Sequence, residues 1–195
     1  TGAPLGKWLD LPGHEEARDN IHTGIEWLAS VAFEHISSIG KNVLVLGGGN
    51  TAMDCCRTSK RIGGEQVSVV VRSGFDEMKA SPWEIEDAMN EDIPILNFHV
   101  PKRYITENGK LVAMEFEKVR KEIDADGKRR LVPTGEEPAI LACDDVLCAI
   151  GQENSFPWIE RDLGIEFDQW EVPVLNKSTF QSTHEKVFFG GDAAL

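Results

Sequence analysis

The fold of this chain is decided by the stretch Val43-Leu44-Val45-Leu46-Gly47-Gly48-Gly49-Asn50-Thr51-Ala52-Met53-Asp54. Its four apolar residues predict a strand that is buried on both faces, which is typical of a parallel sheet. Gly47, Gly49 and Ala52 then follow at the spacing G-x-G-x-x-A. The first glycine permits a tight turn, the second lets the backbone approach a pyrophosphate, and the third small residue lets helix and strand pack closely. Because a helix start also offers unpaired amides to phosphate, the stretch predicts a dinucleotide-binding unit.

The composition indicates a folded protein that does not bind nucleic acid. Its 195 residues suit one domain, or one domain with pieces of another, and 41% of them are hydrophobic. The formal net charge of -13 argues against nucleic acid or an anionic membrane surface as a partner. No apolar run approaches the roughly 20 residues of a membrane span, and the first residues do not resemble a signal peptide. Together with the free thiols expected below, this predicts a cytoplasmic protein.

The cysteines and histidines predict neither a metal site nor a catalytic group. Cys55, Cys56, Cys143 and Cys148 form no C-x-x-C pair, so we expect all four to pack in the core as free thiols. The five histidines fall in separate segments without a metal-ligand spacing, and no pair of carboxylates stands out. This pattern suits a protein in which bound cofactors carry the chemistry and protein groups hold them in place.

The segment before the opening strand is expected to be irregular at first and then helical. Residues 1–20 lack periodicity and contain several glycines and prolines. Thr23 and Glu26 then form a capping box ahead of an apolar stripe at helical spacing, which ends near residues 37–40.

The segment after the opening turn is expected to complete a βαβ unit. An apolar face predicts a helix over about residues 50–62, and a buried strand follows at 67–71. Ser81 and Pro82 then open another helix, with serine as N-cap and proline at the first helical position. That helix gives way to a predicted strand at 93–98.

A change of pattern follows, and it predicts an antiparallel insertion. The hairpin signals Asn108-Gly109 and Asp126-Gly127 separate three strand-like segments. These segments lie at 103–106, 111–119 and 130–132. Another buried strand is predicted at 145–150. The predicted fold class is therefore α/β, with a Rossmann-like parallel sheet, helices and an inserted three-stranded antiparallel β-meander.

The end of the second strand of the βαβ unit predicts which nicotinamide cofactor is bound. An acidic residue at this place accepts a hydrogen bond from the ribose of NAD, whereas arginine accommodates the 2′-phosphate of NADP. Arg72 and Ser73 stand there, so a guanidinium and a hydroxyl can both bind the phosphate. We therefore expect NADPH as the cofactor, with NADH less favoured. The alternative is that Arg72 is a solvated strand end and that Asp76 or Glu77 binds the ribose.

Several motifs together resemble one family of flavoproteins. They are the turn G-G-G-N-T-A-M-D, the strand end Val-Val-Arg, the helix around 78–86, Ala149-Ile150-Gly151, and Phe188-Phe189-Gly190-Gly191-Asp192. This combination is similar to the pyridine-nucleotide half of the glutamate synthase small-subunit family, whose members are relatives of thioredoxin reductase-like enzymes. The resemblance covers essentially the whole chain. It implies hydride transfer from NADPH to FAD, and onward electron transfer through iron-sulfur centres to a partner oxidoreductase subunit or ferredoxin.

The resemblance also implies roles for the two ends of the chain. In the family an FAD domain is interrupted by an NAD(P)H domain, and Thr1-Gly2-Ala3 resembles the turn at which the chain leaves the FAD domain. Gly191 and Asp192 resemble the motif of return, whose aspartate contacts the flavin, while Ile150 and Gly151 resemble the segment that lines the nicotinamide cleft. Ser73 stands where the family often has a second arginine, and Lys79 stands where it has proline. Lys79 offers a replacement for the missing charge.

The predicted organisation follows from this resemblance. Residues 1–40 would lead from an FAD domain, 41–151 would form the NAD(P)H-binding domain with its meander at about 100–135, and 152–195 would return to the FAD domain. The residues predicted to bind cofactors are Gly47, Gly48, Gly49, Asn50, Thr51, Ala52, Arg72, Ser73, Lys79, Ile150, Gly151, Gly191 and Asp192. Alone, the chain is expected to bind NADPH without turnover. The alternatives are a ferredoxin-linked NAD(P)H oxidoreductase subunit, a self-contained dehydrogenase, and a nucleotide-binding module without catalysis.

Overall fold

A computed structural model describes residues 3–124 and 127–194 of the chain. They divide into two compact units. The larger unit is Lys7–Gly151, and the smaller unit combines residues 3–6 with residues 152–194. Thr1 and Gly2 of the predicted T-G-A turn lie outside the described residues, as does Asp126 of the second hairpin signal.

The helices and strands have the following bounds. The helices are α1 (His14–Ala17), α2 (Gly24–Ala32), α3 (Asn50–Arg61) and α4 (Pro82–Asn90). The strands are β1 (Leu5–Gly6), β2 (Ile21–Thr23), β3 (Asn42–Leu46), β4 (Gln66–Val70), β5 (Ile95–Leu96), β6 (His99–Glu107), β7 (Lys110–Ile123), β8 (Arg129–Pro133), β9 (Ala139–Ala142), β10 (Asp145–Cys148) and β11 (Gln152–Glu153). Strands β1 and β11 pair with each other in the smaller unit.

The larger unit contains a parallel sheet with the strand order β2–β10–β3–β4–β5. Strand β3 lies at its centre, where Val45 pairs with Leu147 on one side and with Val69 on the other. On one side of β3 lies β4, the next strand in the sequence, and on the other side lies β10. The direction in which strands are added therefore reverses at β3. Ligands of such sheets bind at the carboxyl ends of the strands beside this reversal.

The two faces of the parallel sheet are covered differently. Val43 and Val45 of β3 pack in a core with α2, α3 and α4, whereas Leu44 and Leu46 pack in a second core with the antiparallel sheet. Strand β3 is therefore buried on both faces, as its four consecutive apolar residues predicted. All four cysteines are free and buried, which confirms the expectation for the thiols.

The antiparallel sheet contains β6, β7, β8 and β9. Its first hairpin turns at Asn108 and Gly109, which have φ values of 51° and 74°, as the Asn-Gly signal predicted. The predicted fold class is thus confirmed, but the sheet has a fourth strand, β9, that was not assigned to the meander. The last residues of β7, Val119–Ile123, lie beyond its pairing with β6 and β9 and pair with β8. We call these residues, together with Arg129–Pro133, the β7–β8 ribbon.

Two predicted segments are shorter in the structure. Helix α2 ends at Ala32 instead of near residue 37, because Glu34 takes a left-handed conformation with φ 60°. The strand expected at 93–98 is reduced to β5, since Pro94 has no N–H to donate and Phe98 has φ 60°.

Residues 1–20, which were expected to be irregular, contain β1 and α1. Strand β2 then joins the parallel sheet beside β10 and was not predicted. Helix α2 begins directly after it, but Thr23 donates its hydroxyl hydrogen bond to the carboxylate of Glu26 at 2.5 Å instead of capping an amide.

The smaller unit has a separate core. It consists of Phe156, Ile159, Ile165, Phe189 and Ala193. Over the described residues of both units, no helix is long and apolar enough to cross a membrane.

Candidate functional site

The candidate site lies at the carboxyl ends of β3, β4 and β10, where the turn after β3 contacts the segment after β10. Gly47 has φ 134°, and a β-carbon there would lie 2.2 Å from the carbonyl oxygen of Ala149. The turn can therefore approach β10 this closely only because residue 47 has no side chain.

The middle of the turn is fixed by the segment that precedes α4. The carbonyl oxygen of Gly48 accepts hydrogen bonds from the amides of Lys79 and Ala80, at 2.8 and 2.9 Å. Gly49 differs from Gly47 and Gly48, because a β-carbon at this position would meet nothing within 4 Å. The backbone thus leaves open space at Gly49, where the fingerprint predicts a pyrophosphate.

The start of α3 offers free hydrogen-bond donors beside this space. Gly49 is the N-cap of α3 and provides no side-chain cap. Within residues 3–124 and 127–194, the amides of Asn50 and Thr51 have no acceptor. Ala52 is fully buried against the sheet, so a small residue here brings the helix close to β3. These features fit an anionic ligand at the helix start.

The side chain of Asn50 contacts the segment that precedes α4. Its side-chain oxygen accepts a hydrogen bond from the amide of Ser81 at 2.7 Å, and its amide nitrogen donates to the Ser81 hydroxyl at 3.5 Å. The side chain therefore joins the starts of α3 and α4, and it leaves the backbone amide of Asn50 available to a ligand. The serine expected to cap α4 is held by this contact instead of capping its own helix.

Arg72 follows β4 at the same edge of the sheet. Its side chain is exposed and has no partner within the part of the chain that the structure describes. Ser73 is fixed through its backbone, because its carbonyl oxygen accepts from the side chain of Asn97 at 2.9 Å and from the amide of Phe98. A free guanidinium thus stands at the place where NADP-binding folds accommodate a 2′-phosphate.

The two carboxylates of the alternative interpretation already have cationic partners. Asp76 forms an ion pair with Lys121, and Glu77 forms ion pairs with both Lys121 and Arg129. These contacts lower the pKa of Glu77 below its usual value, chiefly through the hydrogen bond from Lys121. Within the described residues both carboxylates are thus engaged by cations of the antiparallel sheet, whereas the guanidinium of Arg72 is not engaged. Lys121 and Arg129 carry no local sequence signal, and sequence analysis missed them.

The remaining predicted residues divide between the two units. Exposed Lys79 and exposed Ile150 lie in the larger unit, and Gly151 accepts a hydrogen bond from the amide of Lys7 at 3.1 Å. Gly191 and Asp192 lie in a short 3-10 turn of the smaller unit. The structure therefore places the predicted nucleotide residues in one unit and the predicted flavin residues in the other.

The described residues contain no group of three or more side chains that could hold a metal ion. Burial raises the pKa of the Cys148 thiol to about 11, and it raises the pKa values of Cys56 and Cys143 to about 12. Thiols with such values stay protonated at neutral pH and do not act as nucleophiles. These three thiols are therefore structural groups of the core.

Comparisons with known proteins show the family to which the chain is similar. A model of the family described as pyridine nucleotide-disulphide oxidoreductase matches residues 1–195. The beta subunit of the NADPH-Fe(3+) oxidoreductase of Geobacter sulfurreducens is 32% identical over 176 residues, which are 89% of this chain and 26% of that protein. The glutamate synthase (NADPH) small chain of Halomonas elongata is 34% identical over 193 residues, which are 94% of this chain and 40% of that protein. This likeness confirms the resemblance stated from the sequence motifs.

A solved structure shows the same fold. Thioredoxin reductase of Lactococcus lactis matches with a TM-score of 0.72 at 21% identity, over 99% of this chain and 55% of that chain. Our chain thus spans little more than half of the thioredoxin reductase chain. It spans less than half of each of the two curated relatives.

Proposed function

This chain belongs to the pyridine nucleotide-disulphide oxidoreductase family, and we propose that it is the NADPH-binding part of a flavin-dependent oxidoreductase. The names of both curated relatives include NADPH, whereas they differ in the rest of the reaction. The region that this chain shares with both is therefore best suited to the step they have in common, the binding of NADPH.

The observation that carries this proposal is the combination of open space at Gly49 with an unpaired Arg72. In the proposed complex, the amides of Asn50 and Thr51 bind the pyrophosphate, as helix starts do in other dinucleotide folds. Arg72 and Ser73 bind the 2′-phosphate, and Lys79 adds a positive charge. Ile150 and Gly151, which follow β10, line the nicotinamide side.

The acceptor side of the reaction is proposed from the family resemblance. When bound, NADPH supplies a hydride, FAD accepts it, and iron-sulfur centres carry the electrons to a partner oxidoreductase subunit or ferredoxin. Gly191 and Asp192 are the residues of this chain that we assign to the FAD. In the same proposal, residues 1–40 lead from an FAD domain, 41–151 bind NADPH, and 152–195 return to the FAD domain.

The test is a calorimetric titration of the chain with NADPH and, separately, with NADH. We expect NADPH to bind more tightly. Arg72→Ala should weaken NADPH binding by about 1.5–3 kcal/mol, roughly 10-fold to 150-fold, because a charged hydrogen-bond donor is lost. NADH binding should change little, since NADH has no 2′-phosphate.

The matched control is Arg18→Ala, which removes an exposed guanidinium that is paired weakly with Glu15 at 3.9 Å. This variant should bind both dinucleotides as the unmodified chain does. Equal affinities for NADPH and NADH in the unmodified chain would contradict the assignment of NADPH.

A further inference from the structure

The loop that follows β4, residues 72–79, is held against the β7–β8 ribbon by ion pairs. The ammonium of Lys121 lies 2.6 Å from a carboxylate oxygen of Glu77 and 3.3 Å from one of Asp76. The guanidinium of Arg129 lies 2.8 Å from the same oxygen of Glu77. The side chains of Lys121 and Glu77 are only 25% and 22% exposed, so this contact is better shielded from water than an ordinary surface pair.

The two ends of the same loop are fixed by different contacts. At the start, the carbonyl oxygen of Ser73 accepts from Asn97 and Phe98. At the other end, the amide of Lys79 donates to the carbonyl oxygen of Gly48. The ion pairs with the ribbon therefore act on the middle of the loop, where both of its carboxylates lie.

Unpaired carboxylates at Asp76 and Glu77 would oppose the binding of a phosphate group. They follow Arg72 by four and five residues, so they would repel a 2′-phosphate and compete with it for the guanidinium. They would also accept hydrogen bonds from an unphosphorylated ribose, as the acidic residue of NAD-binding folds does. Two carboxylates in this loop would favour NADH, and neutralising them favours NADPH.

We propose that Lys121, assisted by Arg129, is a positioning residue that makes the 72–79 loop selective for a 2′-phosphorylated dinucleotide by neutralising Asp76 and Glu77. The inference rests on the proposed function, because it assumes that this loop receives the ribose end of the cofactor. The selectivity for NADPH would then depend on Lys121 of the antiparallel sheet as well as on Arg72, which follows β4. Lys121 does not have to touch the cofactor for this effect.

The test compares Lys121→Met with Lys118→Met in the whole chain. Lys118 lies on the same strand but pairs with Glu136 at 3.0 Å, away from the loop. In calorimetric titrations at low ionic strength, Lys121→Met should weaken NADPH binding about 3-fold to 10-fold, and NADH binding should be unchanged or tighter. The ratio of the two affinities should approach that of the unmodified chain as salt is added, because salt screens the carboxylates. Lys118→Met should leave the ratio unchanged.

Two more variants separate the effect of charge from the loss of a structural contact. Glu77→Gln combined with Lys121→Met should recover part of the preference for NADPH, and Lys121→Arg should retain most of it. An equal loss of affinity for NADPH and NADH in Lys121→Met would overturn the inference, since a structural role alone predicts that result. An unchanged ratio in Lys121→Met, with the expected loss in Arg72→Ala, would overturn the inference and leave the proposed function intact. No preference for NADPH in the unmodified chain would overturn both.

Discussion

Two glycines of the turn after β3 have the same side chain but different structural requirements. Gly47 has φ 134° and lies against the carbonyl oxygen of Ala149, so the fold requires a residue without a β-carbon at this position. Gly49 has φ -103°, which any residue can adopt, and nothing in the chain lies near its missing β-carbon. The fold itself therefore does not require glycine at residue 49, and we attribute this glycine to the proposed pyrophosphate site.

This difference predicts opposite behaviour of two alanine variants. Gly47→Ala should destabilise the chain by about 2–4 kcal/mol, because the new methyl group collides with backbone and the conformation is strained. Gly49→Ala should change the free energy of unfolding by no more than about 1 kcal/mol, yet weaken NADPH binding about tenfold or more. Urea unfolding and calorimetric titration measure the two effects. Normal NADPH binding by Gly49→Ala would show that the pyrophosphate does not lie at this turn.

At the level of elements, Arg57 makes several of the contacts between α3 and α4, beside the Asn50–Ser81 contact at the helix starts and an ion pair between Arg61 and Glu91 at 2.9 Å. Arg57 of α3 contacts three carboxylates of α4 and its end: Glu84 at 2.9 Å, Asp87 at 3.1 Å and Glu91 at 2.8 Å. Its side chain is 22% exposed. Because α3 carries the amides that we assign to the pyrophosphate and α4 follows the Lys79 segment, the Arg57 contacts support both sides of the turn.

We therefore expect Arg57→Met to destabilise the chain by about 1–2 kcal/mol at neutral pH. The hydrogen bond from Arg57 lowers the pKa of Glu91 below its ordinary value of 4.5. A carboxyl group with a lowered pKa contributes stability above its ordinary value, and this stability is lost as the pH falls through the folded-state pKa. The difference in the free energy of unfolding between the unmodified chain and Arg57→Met, measured with urea, should thus be largest at neutral pH. It should shrink below about pH 4.5.

Arg103→Met is the matched control for this prediction. Arg103 pairs with a single carboxylate, Glu115, and its side chain is 55% exposed. Its loss should cost less than about 1 kcal/mol, as is usual for exposed pairs. The role assigned to Arg57 would be contradicted if Arg57→Met lost no more stability than Arg103→Met. It would also be contradicted if the loss of stability in Arg57→Met stayed the same in acid.

The elements also show which parts of the fold could be predicted. Strand β3, helix α3 and strand β4 were placed within about one residue, because their signals are local: apolar runs, a glycine turn and a helical stripe. Strand β2 has three residues, and its pairing depends on β10, more than 120 residues later in the chain. The contact between Glu77 and Lys121 also joins residues that are far apart in the sequence. No periodicity encodes such contacts, so these features required the structure.

For the whole molecule, the main feature is that each unit has its own core. The two cores that cover the parallel sheet consist of residues within 7–151, and the core around Phe156 belongs to the smaller unit. All residues that we assign to NADPH also lie within 7–151. Those assigned to FAD, Gly191 and Asp192, do not. Folding and NADPH binding are thus expected to be properties of the larger unit.

This division predicts the behaviour of a chain that consists of residues 7–151. We expect it to unfold cooperatively and to bind NADPH within about twofold of the affinity of the whole chain, because both cores and every assigned NADPH contact are retained. Urea unfolding and calorimetric titration of both chains provide the comparison, with Gly49→Ala in the shorter chain as the control for specific binding. Cooperative folding with a large loss of NADPH affinity would show that residues 7–151 alone are not sufficient for NADPH binding. Failure to fold would show that the core of the larger unit depends on the smaller one.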